Sequence, residues 1–282
     1  MNSLFDKTVC LSVTFHKAGC IREGSMNNIE TEADKNELGL RKRIFSSENY
    51  TRCRWIIAQA QKWLRKRSVP SPLRGGTYLI PLPLVDSVNE YLDGVVTEYN
   101  ESVEAFIVEY PSLVEQWQDK LKDQYDARNY PTPQVMRRRF GVNRMVLNFS
   151  PARPDEIDQR NEIEQAVEEI RAALRCGLLE LIERMTEMLG DEEGKRKRFS
   201  SKALESFKEW MELFPARLVV DDDKLQKLAE RAMKVMEGKS VDDLRDPGKV
   251  REQTRAGLGK IGVQLQKLVK DMPKRAFGFD DE

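Results

Sequence analysis

The chain has 282 residues, with 47 Lys/Arg balanced by 47 Asp/Glu, 40% hydrophobic residues, 33% charged residues and a single histidine, His16. This excludes a collagen, a disordered polyelectrolyte, a membrane-spanning protein and a globally basic nucleic-acid coat. It also excludes chemistry that needs two imidazoles in one subunit.

The first element is Thr8 to Phe15, where Val9, Leu11, Val13 and Phe15 alternate with smaller or polar residues; this period of two predicts a strand. The same apolar run is only about nine residues long, too short to span a bilayer, and Asp6 is wrong for a signal peptide, so cytoplasmic residence is expected. Cys10, Cys20, Cys53 and Cys176 form no C-x-x-C pair and read as small hydrophobes. Residues 19–37 mix Gly, Asn and charge without a period and read as a mobile loop. Ser46 or Ser47 then caps a helix whose Ile56, Ala60, Trp63 and Leu64 share one face, with Arg54 and Arg65 opposite; Pro70 and Pro72 end it. Gly75-Gly76 turns the chain into an extended piece, Thr77 to Pro83.

Ser87-x-x-Glu90 has the form of a capping box. From Val88 through Leu92, Val95, Tyr99, Val103, Phe106, Tyr110, Leu113 and Trp117 to Leu121, apolar residues step by three or four, which predicts a long helix with a kink or break near Pro111. Thr132 caps a short helix with Pro133 at its first position. A second strand is expected at 142–149, and Ser150 to Pro154 breaks the chain. A second long helix starts at Asp155-Glu156 and carries a seam from Ile163 through Leu174, Leu178 and Met185 to Met188. Shorter helices follow at about 200–214, 222–237 and 247–271, with caps at Ser240-x-x-Asp243 and Asp246-Pro247.

The expected fold is mainly α (α+β): a long antiparallel helical hairpin or coiled coil from 84–126 and 155–190, a small β-sheet at one end, and a C-terminal helical cluster. The expected domains are 1–193, with 127–154 as connecting turn and strand, and a helical region 194–282.

Charge runs in blocks. Residues 35–74 hold eleven Lys/Arg against two acids, 84–126 hold eleven acids against two lysines, 127–154 hold six Arg and no acid, and 155–193 hold thirteen acids against four Arg. The structural reading is that basic elements pack beside acidic helices; the functional one is a basic surface for an acidic partner. Arg54, Arg65, Arg137, Arg138 and Arg139 are the candidate contacts. Lys195-Arg196-Lys197-Arg198 reads as a solvated turn.

Motifs with chemical associations fail on context. Gly257-Leu-Gly-Lys-Ile-Gly262 spells G-x-G-x-x-G, but helical residues precede it where a strand is needed, so its glycines are expected to permit a close helix crossing or a helix break. Gly190 to Arg196 has three residues between its glycines where a P-loop needs four, and Arg196 stands at the magnesium-ligating position. Asp221-Asp222-Asp223 reads as a helix N-terminus complementing the helix dipole. His16 lacks a partner base and reads as a strand-end residue. No catalytic, cofactor-binding or metal-ligating residue is expected, and neither a cofactor nor a membrane partner.

The strand KTVCLSVTF, the run Leu73-Arg-Gly-Gly-Thr-Tyr-Leu-Ile-Pro81, the long helix with Phe106-x-x-x-Tyr110 and Trp117, the arginine-rich turn and VNRMVLNFSP together resemble an uncharacterised family of bacterial, phage and mobile-element proteins, a domain of unknown function. The resemblance covers about residues 5–190. Members are often encoded beside a MoxR-type AAA+ ATPase and a von Willebrand A-type protein, which implies a non-enzymatic scaffold or adaptor role with those partners. The alternative is a nucleic-acid-binding protein using the arginine-rich segments. A homo-oligomer is expected too, because a lone two-helix hairpin leaves part of its seam wet; Phe106, Trp117, Leu174, Leu178 and Met185 are the seam residues.

Overall fold

The computed structural model describes residues 4–25, 30, 32–33, 38–69, 76–147, 159–192, 195–196, 199–246 and 248–270. Outside them lie Pro70, Pro72, the 150–156 break and helix start, Lys197-Arg198, Pro247 and part of the expected 19–37 loop. The side chain of Ile163 is also outside the described set.

The architecture is mainly α with a small β part. In chain order it runs β1 (Thr8–His16), β2 (Ile21–Glu23), β3 (Arg41–Arg43), α1 (Glu48–Arg67), β4 (Thr77–Pro81), α2 (Val85–Leu121), α3 (Pro133–Arg137), β5 (Gly141–Leu147), α4 (Gln159–Met188), the two-residue strands β6 (Asp191–Glu192) and β7 (Lys195–Arg196), α5 (Ser201–Arg217), α6 (Asp223–Met236), α7 (Val241–Arg245) and α8 (Lys249–Lys270). A three-stranded sheet has the order β4-β1-β5, and β2 pairs antiparallel with β3. The β2–β3 ribbon replaces part of the expected loop. Its strands, IRE and RKR, carry no apolar alternation, so nothing in their pattern marked them.

Caps behave largely as their chemistry demands. The Tyr50 amide donates to Ser47 Oγ at 3.1 Å, the Val135 amide to Thr132 Oγ1 at 3.5 Å, and Ser240 with Asp243 forms a full capping box. Ser87 does not stand at the N-cap, because α2 starts two residues earlier at Val85 and places Ser87 within its first turn. Nor does Pro111 break α2, which is assigned continuously to Leu121. Pro111 is exposed, so water can satisfy the carbonyl freed by its missing N–H.

The chain forms two compact units: Met1–Cys10, Arg65–Val85 and Leu147–Glu282 make one, Leu11–Leu64 and Asp86–Val146 the other. They do not follow a single cut at 193, because α4 shares its core with α5, α6 and α8. That first core takes Ile170, Leu174, Leu178, Ile182 and Met185 from α4, Leu204, Phe207 and Met211 from α5, Leu225, Leu228 and Ala232 from α6, and Leu258, Ile261 and Leu265 from α8. The second core gathers the α2 seam, Val95 through Leu113, with Tyr50, Cys53, Ile56 and Ile57 of α1, the preceding Ile44 and Phe45, and Met136 and Phe140. Each long seam is buried within its own unit.

In the first unit α8 is the central packing element. A Cβ at Gly257 would stand 3.1 Å from Val235 Cγ1 of α6, and one at Gly262 would meet Ile182 of α4 at 3.5 Å. The helix is unbroken, so these glycines serve close crossings. Arg251, buried, donates to the carbonyls of Met188 (3.1 Å), Leu189 (3.2 Å), Gly190 (3.4 Å) and Leu244 (2.6 Å), satisfying acceptors at the C-terminal end of α4. Asp222 caps α6 through the Leu225 amide at 3.1 Å while Arg175 Nε donates to its other oxygen at 2.7 Å.

The glycines of α8 should separate in a stability test. Nothing lies within 4 Å of a Cβ at Gly259. Gly259→Ala should therefore gain up to about 1 kcal/mol of helix propensity, measured by chemical denaturation. Gly257→Ala should gain clearly less or lose stability, because Val235 must yield.

The second core is aromatic. Phe106 lies 5.4 Å from Phe45, 5.6 Å from Tyr50, 5.7 Å from Tyr110 and 5.5 Å from Phe140, centroid to centroid. Burial pushes the Tyr50 and Tyr99 hydroxyls well above the ordinary tyrosine range. Burial, reinforced by the neighbouring Tyr130, pushes Tyr110 up to about 12; Tyr130 itself rises to about 12 through burial. These groups hold their protons more tightly folded than unfolded. Their contribution is complete below pH 10, the ordinary tyrosine value, and is lost as pH rises through about 12. In an alkaline titration, tyrosinate absorbance from this cluster should therefore rise together with loss of near-ultraviolet circular dichroism. Ionisation near pH 10 with the tertiary signal intact would contradict the burial argument.

Candidate functional site

Helix α1 carries six cations, Arg52, Arg54, Lys62, Arg65, Lys66 and Arg67, against one acid, Glu48. Its inner face, Tyr50, Cys53, Ile56, Ile57, Ala60 and Leu64, is buried. The outer stripe steps through Thr51, Trp55, Ala58 and Lys62, with Arg54 alongside, and all five are exposed. Over these twelve positions the stripe is roughly 16 Å long. Trp55 is 57% exposed, unusual for the largest side chain on a helix whose apolar face is elsewhere. Lys17, Thr51, Arg54, Trp55, Ala58 and Gln61 line an open groove of about 420 Å³ with the buried Ile57 at its base.

The other cations of α1 are partly committed. Arg52 pairs with Glu98 at 3.3 Å, and Lys66 and Arg67 both reach Glu209, at 2.6 and 3.5 Å. Arg54, Lys62 and Lys17 make no ion pair among the described residues.

The predicted arginines fare differently from one another. Arg137 pairs with Glu104, and Arg144 of β5 reaches Asp93 at 2.7 Å, both on the acidic face of α2. With Arg52–Glu98 these show basic segments neutralising an acidic helix, as the charge blocks suggested. Arg138 and Arg139 are exposed beside them, and Arg65 is exposed toward the end of α1. The structure brings Arg137, Arg138 and Arg139 together on and just after α3 but does not gather all five arginines around the α1 groove, which only Arg54 lines. Trp55 and Lys17 were missed. The signal for Trp55 was its position out of phase with the Ile56, Ala60, Leu64 seam and directly after Arg54.

The seam residues are core. Phe106, Leu174, Leu178 and Met185 are essentially inaccessible in the single chain, and Trp117 is half-buried with the Lys120 ammonium 5.0 Å from its ring centre. The wet seam that motivated self-contact is therefore absent at those four positions. His16 ends β1, its carbonyl accepting the Tyr99 hydroxyl at 2.6 Å and its Nε2 lying 3.1 Å from Asn143 Nδ2. Cys53 is buried, its thiol pushed up by burial and donating to Ser102 Oγ at 3.3 Å. Among the described residues no helix is long and apolar enough to cross a membrane.

A mainly α protein with two cores and an exposed cationic helix face is the class that fold and surface define. The family model described as "Protein of unknown function (DUF3150)" matches residues 22–260, and the chain belongs to that family. No curated protein and no solved structure matches it.

Phe106→Glu and Leu178→Glu should each destabilise by more than about 4 kcal/mol, since each buries an unpaired charge. Circular dichroism and sedimentation together would read this as unfolding or aggregation; a folded, smaller species would instead restore the seam as a subunit contact.

Proposed function

We propose that this chain is a non-enzymatic adaptor that binds other proteins in the cytoplasm, its partner a MoxR-type AAA+ ATPase in a phage- or mobile-element-associated system. The resemblance of its element order to proteins encoded beside such an ATPase and a von Willebrand A-type protein motivates the choice of partner. The observation that carries the reading is β5. It is an outer strand of its sheet, and four consecutive side chains, Asn143, Arg144, Met145 and Val146, are exposed. Successive strand residues point to opposite faces, so Met145 at 60% and Val146 at 58% exposure leave both faces wet at that end. Natural sheets usually blunt such edges, and an outer strand with exposed apolar residues is suited to receive an extended segment of a partner. In this reading self-association also runs through β5, since the long-helix seams are spent on the cores.

The test is co-sedimentation of the purified chain with the purified ATPase encoded beside it, with and without ATP. A complex is expected, and Met145→Lys with Val146→Lys should weaken it at least about tenfold, as for loss of a buried apolar anchor. Absence of any complex in either nucleotide state, with the chain monomeric by itself, would overturn the adaptor reading.

A further inference from the structure

We propose that the groove on the outer face of α1 binds single-stranded nucleic acid, with a base stacked on Trp55 and backbone phosphates held by Lys17, Arg54 and Lys62. This goes beyond the adaptor reading and uses a different surface. It also narrows the nucleic-acid alternative from five scattered arginines to one face.

Charge complementarity comes first. The stripe presents Arg54 and Lys62, Lys17 lines the groove with Arg54, and none of the three makes an ion pair with a described acid. The only acid on α1, Glu48, belongs to its first turn, on the N-terminal side of the stripe. Arg52, Lys66 and Arg67 of α1 meet carboxylates, whereas Arg54 and Lys62 on the outer stripe do not. Two cations, Lys17 and Arg54, share the groove with a single aromatic, and Lys62 continues the stripe about two turns on, which makes a surface that favours an anion.

The indole supplies the second argument. Neighbours on a helix surface are three and four residues away, and for Trp55 two of these, Thr51 and Ala58, are small and line the groove. They leave room beside the ring for a planar group. Base–aromatic stacking between flanking cations is the common arrangement for single strands, whose bases are unpaired and whose phosphates follow the strand. A duplex would not fit this use of Trp55, because its bases are stacked internally and show only edges. An acidic peptide would satisfy the cations but gives no reason for a solvent-facing indole.

The experiment is fluorescence anisotropy of the full chain with a labelled oligonucleotide of about fifteen thymidines, a length spanning typical single-strand sites. Measurements run upward from about 50 mM salt, where phosphate contacts bind most strongly. Binding is expected, and Trp55→Ala should weaken it by roughly 5- to 100-fold, while Trp55→Phe retains most of the affinity. Arg54→Ala with Lys62→Ala should reduce the magnitude of the log–log salt slope by about 1.4, two contacts at about 0.7 each. All these positions are exposed, and circular dichroism would verify the fold of each variant. No binding at low salt, or binding indifferent to Trp55→Ala, would overturn the proposal. So would a duplex of the same length bound more tightly, or polyglutamate bound with the same dependence on Trp55. The β5 variants Met145→Lys and Val146→Lys should bind the oligonucleotide normally, so failure here and failure of the adaptor reading are separately visible.

Discussion

The packing of α1 against α2 around Phe106 is the constraint on which the second unit depends. Phe45, Tyr50, Tyr110 and Phe140 all approach that ring, and Tyr50 and Phe106 come from the two helices. Several hydrogen bonds lock the arrangement: the Tyr50 hydroxyl donates to the Ala18 carbonyl at 2.7 Å, Tyr130 to Ile44 at 2.7 Å, and Ser102 Oγ to the Asn49 carbonyl at 3.1 Å. Aromatic side chains bury large areas and choose their edge or offset geometry, so the rotation of α1 about its axis is fixed. Once the Tyr50, Cys53, Ile57 face is committed inward, Arg54, Trp55 and Lys62 have nowhere to go but solvent. The candidate surface is thus a consequence of the core.

The first unit is organised differently. Its core is built mainly from helices, and close approach is obtained by omitting side chains from α8 at Gly257 and Gly262. Two arginines then do work that backbone cannot. Arg251 gathers four carbonyls, most at the end of α4, and Arg175 holds the Asp222 cap of α6. Charged groups this enclosed cost desolvation and persist because each is hydrogen-bonded. The G-x-G-x-x-G run and the aspartate triplet, which carry chemical associations in other settings, therefore serve packing and capping.

Much of the helical content was legible, because α2, α4, α5, α6 and α8 carry apolar residues at helical spacing and α6 carries a side-chain cap at Asp222. β1 was legible from its alternation and α3 from Thr132-Pro133. The β2–β3 ribbon was not, since its residues are charged on both strands and its pairing joins segments about twenty residues apart. Of the candidate surface, Arg54 was legible as a cation opposite an apolar face. Trp55 was not: a tryptophan in a sequence is counted toward the core unless its phase is compared with that of its neighbours.

By itself, the sequence determined which segments are helical, which face of each is apolar, and that charge is distributed in opposed blocks, because periodicity and composition are local properties. The tertiary structure decided which partner covers each face. Two long seams of similar spacing are equally able to cover each other or other elements, since apolar burial is non-directional and a seam carries no address. Here aromatic shape selected α1 and the Phe45 segment for α2, and the small residues of α8 selected it for α4. The same choice determined which cations were neutralised on acidic helices and which were left facing water.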